Sequence, residues 1–199
     1  MKNLFIIMVL SISSLGYTQN ISDKKWYSNA DLELITHKKV EYSFNYFDTD
    51  RNSRLSETIN VSAKKPAFGL AYSFNYMVFK KWSIGLLTGY KSYKEPDLSM
   101  LELGGTIKYF FVNTNNIYTY ISVTNAFSLN NNEFSGGGDT RIGIGVPIVR
   151  VDKLNININI FKEQNFLRLK GVEPLIGLSQ ESPGTLIYNS WGISAGVKF

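Results

Sequence analysis

The chain of 199 residues contains no cysteine, one histidine and five prolines. Without cysteine it can form neither a disulfide nor a thiolate metal site, and it cannot be lipidated on a cysteine. Any catalytic triad or histidine-based metal site would have to use His37. No apolar run reaches the roughly 20 residues that a membrane-spanning helix needs. The formal net charge of +5 is too small to indicate an anionic partner by itself.

The first residues have the pattern of an export signal. A short basic start, Met1-Lys2-Asn3, precedes the apolar run from Leu4 to Leu15. This length and order are typical of a secretory signal peptide. We therefore interpret residues 1–18 as the signal peptide and residues 19–199 as a single domain.

From Val40 onward, apolar residues recur at every second position, and most of them are β-branched or aromatic. This periodicity predicts β-strands and almost no helix. Eight such segments can be distinguished. The first carries Val40, Tyr42, Phe44 and Tyr46 on its apolar face, and the last ends at Phe199.

The connections between these segments alternate in length. Residues 79–81, 112–116 and 150–152 are tight turns, whereas residues 48–67, 94–98, 129–138 and 171–183 are mostly longer and polar. Tight turns at one end and long loops at the other are typical of an up-and-down transmembrane barrel. The pattern predicts that both termini lie at the tight-turn end. Pro147 removes a ladder donor and predicts a bulge in the sixth segment.

The face opposite the apolar one consists of small or weakly polar residues, among them Gly69, Ala71, Ser73, Asn155 and Asn157. Such side chains fit the narrow lumen of an eight-stranded barrel but would cover a solvated surface poorly. We expect the apolar face to contact lipid. The alternative is a soluble, lipocalin-like barrel with its apolar face inside.

Several runs carry a family resemblance, notably Phe68–Tyr76, Gly85–Tyr90, the pair Tyr109-Phe110 and the end Trp191–Phe199. With these runs the chain resembles the small outer-membrane β-barrel proteins of the Bacteroidota, within the wider OmpA/OmpX-like and porin-family set. The resemblance implies an eight-stranded antiparallel barrel in the bacterial outer membrane. It also implies that the terminal Phe199 is the signal read by the outer-membrane assembly machinery.

Charged residues on the inward face are the most informative polar feature, because a charge in a narrow lumen needs a partner. We expect a lumen charge network with members toward both ends of the barrel. One pair, Glu102 and Arg141, is predicted to interact directly. The tight-turn end would hold Glu41, Lys108 and Lys198, and the loop end Lys91, Glu102, Asp139 and Arg141.

Other patterns give no functional site. Asp48, Asp50 and Asn52 match the start of a calcium loop, but position six is Ser53 and position twelve is Ile59, so the match fails. His37 precedes the first predicted segment, and no orienting acid is identifiable for a neighbouring serine. Basic pairs such as Lys38-Lys39 are not interleaved with aromatics, so nucleic-acid binding is not expected. We expect no metal and no cofactor.

The sequence thus favours a non-enzymatic integral outer-membrane barrel with periplasmic termini and a side-chain-filled lumen. Its long loops would bind an unknown surface ligand, and its partners would include outer-membrane lipid and lipopolysaccharide. Two alternatives are a small-solute channel of porin-family type and a barrel enzyme that modifies lipid A.

Overall fold

A computed structural model describes residues 25–61, 65–95, 97–129, 134–151, 154–170, 175–178 and 180–199. The interpreted signal peptide, residues 1–18, lies outside the described residues. Within the described ranges there is no helix long and apolar enough to cross a membrane.

The described residues form nine antiparallel strands. Their bounds are β1 Trp26–Asp48, β2 Ser53–Val61, β3 Ala67–Phe79, β4 Trp82–Lys94, β5 Asp97–Phe110, β6 Tyr118–Ser128, β7 Phe134–Val151, β8 Leu154–Leu169 and β9 Ser182–Lys198.

Eight of these strands close a ring. Strands β3 to β9 pair in chain order, and β1 pairs with β3 on one side and with β9 on the other. The backbone of Phe199 extends this closure by exchanging two hydrogen bonds with Ser28, at 2.9 and 3.0 Å. The predicted eight-stranded antiparallel barrel is therefore confirmed.

The apolar face of the barrel wall points outward. Its side chains are largely exposed on every strand of the ring, for example Leu86 at 75 %, Ile107 at 51 % and Ile144 at 52 %. The small and polar face is buried inside, as shown by Ser73, Asn157 and Asn159. An apolar outer wall around a polar interior is the arrangement of a transmembrane barrel and the reverse of a soluble one.

Strand β1 differs from its prediction in both start and phase. It begins at Trp26 rather than near Val40, and its register against β9 shifts between His37 and Lys39. This bulge changes which residues face inward, because it adds one residue to β1. Val40, Tyr42 and Phe44 are consequently buried inside the barrel instead of lining the lipid face.

The region predicted as the first long loop, residues 48–67, also contains a strand. β2 pairs only with the upper part of β1, in a register from Val40 opposite Val61 to Asp48 opposite Ser53. At the tip, Asp48 Oδ1 accepts the backbone amides of Asp50 and Arg51, and Asn52 has a φ of 47°. The aspartate and asparagine thus build a hairpin turn.

Two further connections can be compared with the sequence. The β4–β5 connection, predicted among the longer ones, is tight, because Lys94 already pairs with Asp97. The bulge predicted at Pro147 is confirmed by a register shift between Pro147 and Val149.

Strands β1, β8 and β9 extend beyond the apolar band. Thr36, Trp191 and Lys162 lie side by side in the ladder and mark the height at which polar side chains first appear on the outer face of these strands. Above this row, Lys39, Asn189 and Gln164 follow in register. Trp191 therefore lies where an interfacial aromatic girdle is expected.

Lumen glycines make space for large rings. A Cβ at Gly143 would collide with the Tyr120 ring, and one at Gly145 with the Tyr118 ring. Even a small substitution at either glycine would therefore require a buried tyrosine ring to move.

The outer face can be tested with Ile144→Arg. We expect this change to destabilise the barrel by about 2 to 4 kcal/mol, because a charge would enter the apolar part of the membrane. The control is Gln164→Arg, which adds the same charge on the outer face above the apolar band. Urea unfolding in liposomes measures both, and equal losses would contradict the assigned membrane position.

Candidate functional site in the barrel lumen

The tight-turn end of the lumen holds two lysines among aromatic rings. The Nζ of Lys198 lies 4.5 Å from the centre of the Tyr27 ring and 5.2 Å from that of Phe110, and it donates to the carbonyl of Thr114. Lys108 Nζ donates to Ser73 Oγ at 3.3 Å. Both lysines lie at the end predicted for them, and cation–π attraction supplements their hydrogen bonds.

A hydrogen-bonded network that includes Asp31 fills the next layer. Asn159 Nδ2 donates to Asp31 Oδ1 and to Ser194 Oγ, each at 2.8 Å, while its Oδ1 accepts from the Tyr118 hydroxyl at 2.7 Å. The space left in this layer is a cavity of about 30 Å³. That volume suits roughly one buried water and does not form a pore.

Above it lies the charge cluster, which we define as Glu33, Lys91, Glu102, Asp139, Arg141 and Glu163. Lys91 Nζ is 2.9 Å from Glu102 Oε1, 2.9 Å from Asp139 Oδ2 and 3.0 Å from Glu163 Oε2. The Lys91 side chain is only 1 % exposed. A buried ammonium with three carboxylate partners is stabilised only as long as those partners stay in place.

Arg141 is the second cation of the charge cluster. Its guanidinium forms a two-pronged bond to Glu33, at 2.6 and 3.0 Å, and Nη2 also donates to Glu163 Oε2 at 2.9 Å. The same group lies 4.0 Å above the Phe161 ring. Glu163 Oε2 contacts both cations, and Asp139 Oδ2 also lies within 3.8 Å of Arg141 Nη2, so these two carboxylates join the two halves of the cluster.

The structure brings four of the predicted network residues together: Lys91, Glu102, Asp139 and Arg141. The ion-pair partner of Glu102 is Lys91, whereas Arg141 pairs with Glu33 and Glu163 and, at a longer distance, with Asp139. The predicted Glu102–Arg141 contact is thus replaced by two neighbouring ones. The sequence pattern places both residues at the loop end but does not give the partner across the lumen.

The predicted position of Glu41 in the lumen network is wrong. It lies outside the lumen, above the apolar band, where it forms an ion pair with Lys39 on the outer surface. The sequence assigned it to the tight-turn end because the first strand was expected to begin near Val40. The earlier start of β1 and the bulge at residues 37–39 move Glu41 upward and turn it outward.

Glu33 and Glu163 were missed in the sequence. Glu33 lies in the part of β1 before the predicted first strand. Glu163 continues the inward alternation from Asn159 through Phe161, but the alternating apolar residues identified for the seventh segment stop at Ile160, whereas β8 runs to Leu169. Extending the period-two pattern past Ile160 would have found Glu163.

The cluster contains four carboxylates and two cations, and it links β1, β4, β5, β7 and β8. Asp139 Oδ1 and Glu163 Oε1 are buried and have no hydrogen-bond partner among the described residues. Within these residues, no group of three or more His, Asp or Glu side chains is arranged to hold a metal ion. The chemistry that the arrangement supports is electrostatic cross-linking of the barrel wall.

An apolar plug fills the lumen above the charge cluster. Its members are all at most 1 % exposed. They are Ile35, Tyr93, Leu98, Met100, Leu167, Leu186 and Tyr188. The Tyr93 hydroxyl accepts from Asn165 Nδ2 at 3.2 Å, and Tyr188 donates to the carbonyl of Glu95 at 3.2 Å. The hydroxyl groups of Tyr93 and Tyr188 are thus hydrogen-bonded, while their aromatic rings fill the lumen.

His37 lies inside β1, in the lumen, and does not precede the first strand as the sequence predicted. Its Nδ1 is 2.9 Å from Ser190 Oγ, and its ring packs on Tyr93 and Tyr188 at 5.4 and 4.9 Å between centres. The serine partner was missed because pairing of β1 with β9 joins residues 153 positions apart.

The loop between β8 and β9 is organised around Glu181. Its carboxylate accepts the Tyr42 hydroxyl at 2.8 Å and backbone amides of residues 175–178, including Gly177 at 2.8 Å. Burial raises the pKa of the Glu181 carboxyl, but these hydrogen bonds outweigh burial, so the pKa lies below its ordinary value. The loop is therefore fastened to β1 at neutral pH.

Comparison with solved structures shows the fold. The outer membrane protein OprG from Pseudomonas aeruginosa is 13 % identical with a TM-score of 0.52, and the match covers 87 % of this chain and 95 % of that one. Neisserial surface protein A is 12 % identical with a TM-score of 0.50, covering 88 % and 96 %. No protein-family model and no curated protein matches the sequence. The chain has the fold of small outer-membrane barrels, and its resemblance to Bacteroidota proteins stays a prediction.

The charge cluster can be tested with Lys91→Met. We expect a loss of about 3 to 5 kcal/mol in the free energy of unfolding, because three buried carboxylates lose their shared cation. Adding Glu102→Gln should restore part of this loss, so the double variant should lose less than the sum of the single ones.

The matched control is the exposed pair Lys39 and Glu41, changed to Gln singly and together. This pair should contribute no more than about 1 kcal/mol, because solvent screens it. Urea titration of all six variants measures the two coupling energies. Additive losses at Lys91 and Glu102 would show that they do not interact in the folded barrel.

Proposed function

We propose that this chain is a non-enzymatic integral protein of the bacterial outer membrane with a closed lumen, and that it acts through binding elements at its loop end. The observation that carries the proposal is the double closure of the lumen. The charge cluster crosses the barrel, and the apolar plug lies directly above it.

The proposed orientation places the termini and tight turns in the periplasm. Trp26 and Phe199 lie beside the turns at residues 79–82 and 151–154, whereas the strand extensions all lie at the other end. Short periplasmic turns and larger external elements are usual in bacterial barrels. The outer-membrane assembly machinery would be the partner during insertion, and lipopolysaccharide would surround the loop end.

Two elements are available for binding at that end. The tip of the β1–β2 hairpin extends past β9, because β1 pairs with β9 only as far as Asn45 and β2 pairs with no strand other than β1 among the described residues. Beside it, the loop held by Glu181 exposes Leu175, Ile176 and Leu178, each between 37 and 40 %. Exposed apolar side chains on a fixed loop support a role in contacting a surface ligand.

The channel alternative can be separated by conductance. In planar bilayers the purified barrel should give no stable current steps, because the plug and the cluster leave no continuous aqueous path. An open porin in the same membrane is the positive control. Current steps whose ion selectivity changes in Lys91→Met would instead support a channel through the cluster.

The lipid-A-modifying alternative has one observation in its favour, the contact between His37 and Ser190. Ser190 is 1 % exposed, and Tyr93 and Tyr188 cover the histidine, so a lipid substrate has no route to the hydroxyl in this conformation. We therefore interpret the pair as a satisfied lumen hydrogen bond. Lipid A mass spectra that differ between a deletion strain and its parent would instead support the enzyme alternative.

The proposed assembly signal is tested by Phe199→Lys. We expect less heat-modifiable, folded barrel in the outer membrane, because the change removes the terminal aromatic while keeping the backbone bonds to Ser28. The control is Lys80→Gln in a tight turn. Equal amounts of folded protein in all three strains would remove Phe199 from the assembly signal.

A further inference from the structure

The outer wall of the barrel carries a groove at the seam where the first and last strands meet. Leu32 and Leu34 of β1, Phe68 of β3, Ile158 of β8 and Ile193 and Ala195 of β9 line it, and its volume is about 480 Å³. The small Ala195 leaves space between larger neighbours. All these side chains point outward within the apolar band, so the groove opens toward the acyl chains of the membrane.

A basic row lies directly above the groove on two of the same strands. It consists of Lys38 and Lys39 of β1 and Lys162 of β8. Ile193 of the groove is followed two residues up the barrel by Trp191, which is paired with Thr36 and Lys162. Two residues of a strand span about 7 Å. The Lys162 side chain therefore begins at the interface, one step above the groove.

The bulge in β1 adds positive charge to this row. Because Lys38 is the extra residue between the pairs His37–Ser190 and Lys39–Asn189, two consecutive lysines are exposed at one height. The charge of Lys39 is compensated by its ion pair with Glu41. Lys38 and Lys162 form no ion pair with any side chain that the structure describes, so their charge is available to an external anion.

We propose that the groove and the basic row together form a binding site for one phosphorylated, acylated glycolipid of the outer leaflet, of the lipid A type. An acyl chain lies in the groove, and a headgroup phosphate is bound by Lys38 and Lys162. This inference rests on the proposed function, because it requires the loop end to face the outer leaflet.

The position of the site at the membrane interface and the charge of its lysines support a phosphorylated glycolipid as the occupant. An apolar groove alone would accept any acyl chain, but the uncompensated lysines select an anionic headgroup at the height of the interfacial Trp191. Gln164 and Asn189, hydrogen-bonded to each other at 3.2 Å, lie one step above Lys162 and Trp191 on the outer face and offer neutral polar contacts to a sugar. A zwitterionic lipid would leave both lysines without a full counter-charge.

The test is native mass spectrometry of the full barrel in mild detergent, titrated with lipid A, with dephosphorylated lipid A and with phosphatidylethanolamine. The unchanged barrel should retain one lipid A and prefer it over both other lipids. Lys38→Gln combined with Lys162→Gln should weaken retention of lipid A about tenfold, since two surface cations are lost. The control is Lys80→Gln with Arg150→Gln, which removes the same charge at the tight-turn end and should leave retention unchanged.

The groove is tested separately by Ala195→Trp, which should lower the affinity for lipid A with and without phosphate by a similar factor. Val123→Trp, on the outer face of β6, is its matched control. Equal binding of the three lipids to the unchanged barrel, or equal losses in variant and control, would overturn the site. Failure of the proposed function would appear separately, as current steps in planar bilayers, whereas heat-modifiability of each preparation shows whether a loss of lipid binding comes from misfolding.

Discussion

Lys91 and Arg141 share the Glu163 carboxylate inside a wall of only eight strands, and the rest of the lumen is arranged around this interaction. A charge in such a narrow space is stable only when its partners surround it. The cluster therefore fixes the register between strands that are distant in sequence. Glycines at lumen positions such as Gly145 then leave room for the aromatic rings below.

The bulge in β1 has consequences on both sides of the wall. Below it, Glu33 faces inward and reaches Arg141. Above it, Tyr42 faces inward and fastens the β8–β9 loop through Glu181, while Lys38 and Lys39 are both exposed outside. One added residue thus connects the closed lumen, the ordered loop and the basic row of the proposed glycolipid site.

Closure and binding are complementary in this architecture. The apolar plug contributes a core that begins at the upper edge of the apolar band, and it lies below the β1–β2 hairpin. Because the lumen is occupied by side chains, the surfaces left for function are the loop end and the lipid-facing wall. Both proposals made for this chain lie on those surfaces.

The sequence by itself determined the strand periodicity, the number of strands in the ring and, for every segment except the first, the side that faces lipid, because alternation is a local property of the chain. It also placed Lys91, Glu102, Asp139 and Arg141 on the inward face. Only the tertiary structure decided their partners, since closure between β1 and β9 and the bulge at residues 37–39 depend on contacts across the barrel. For that reason Glu41 was assigned to the wrong place and Glu33 was missed.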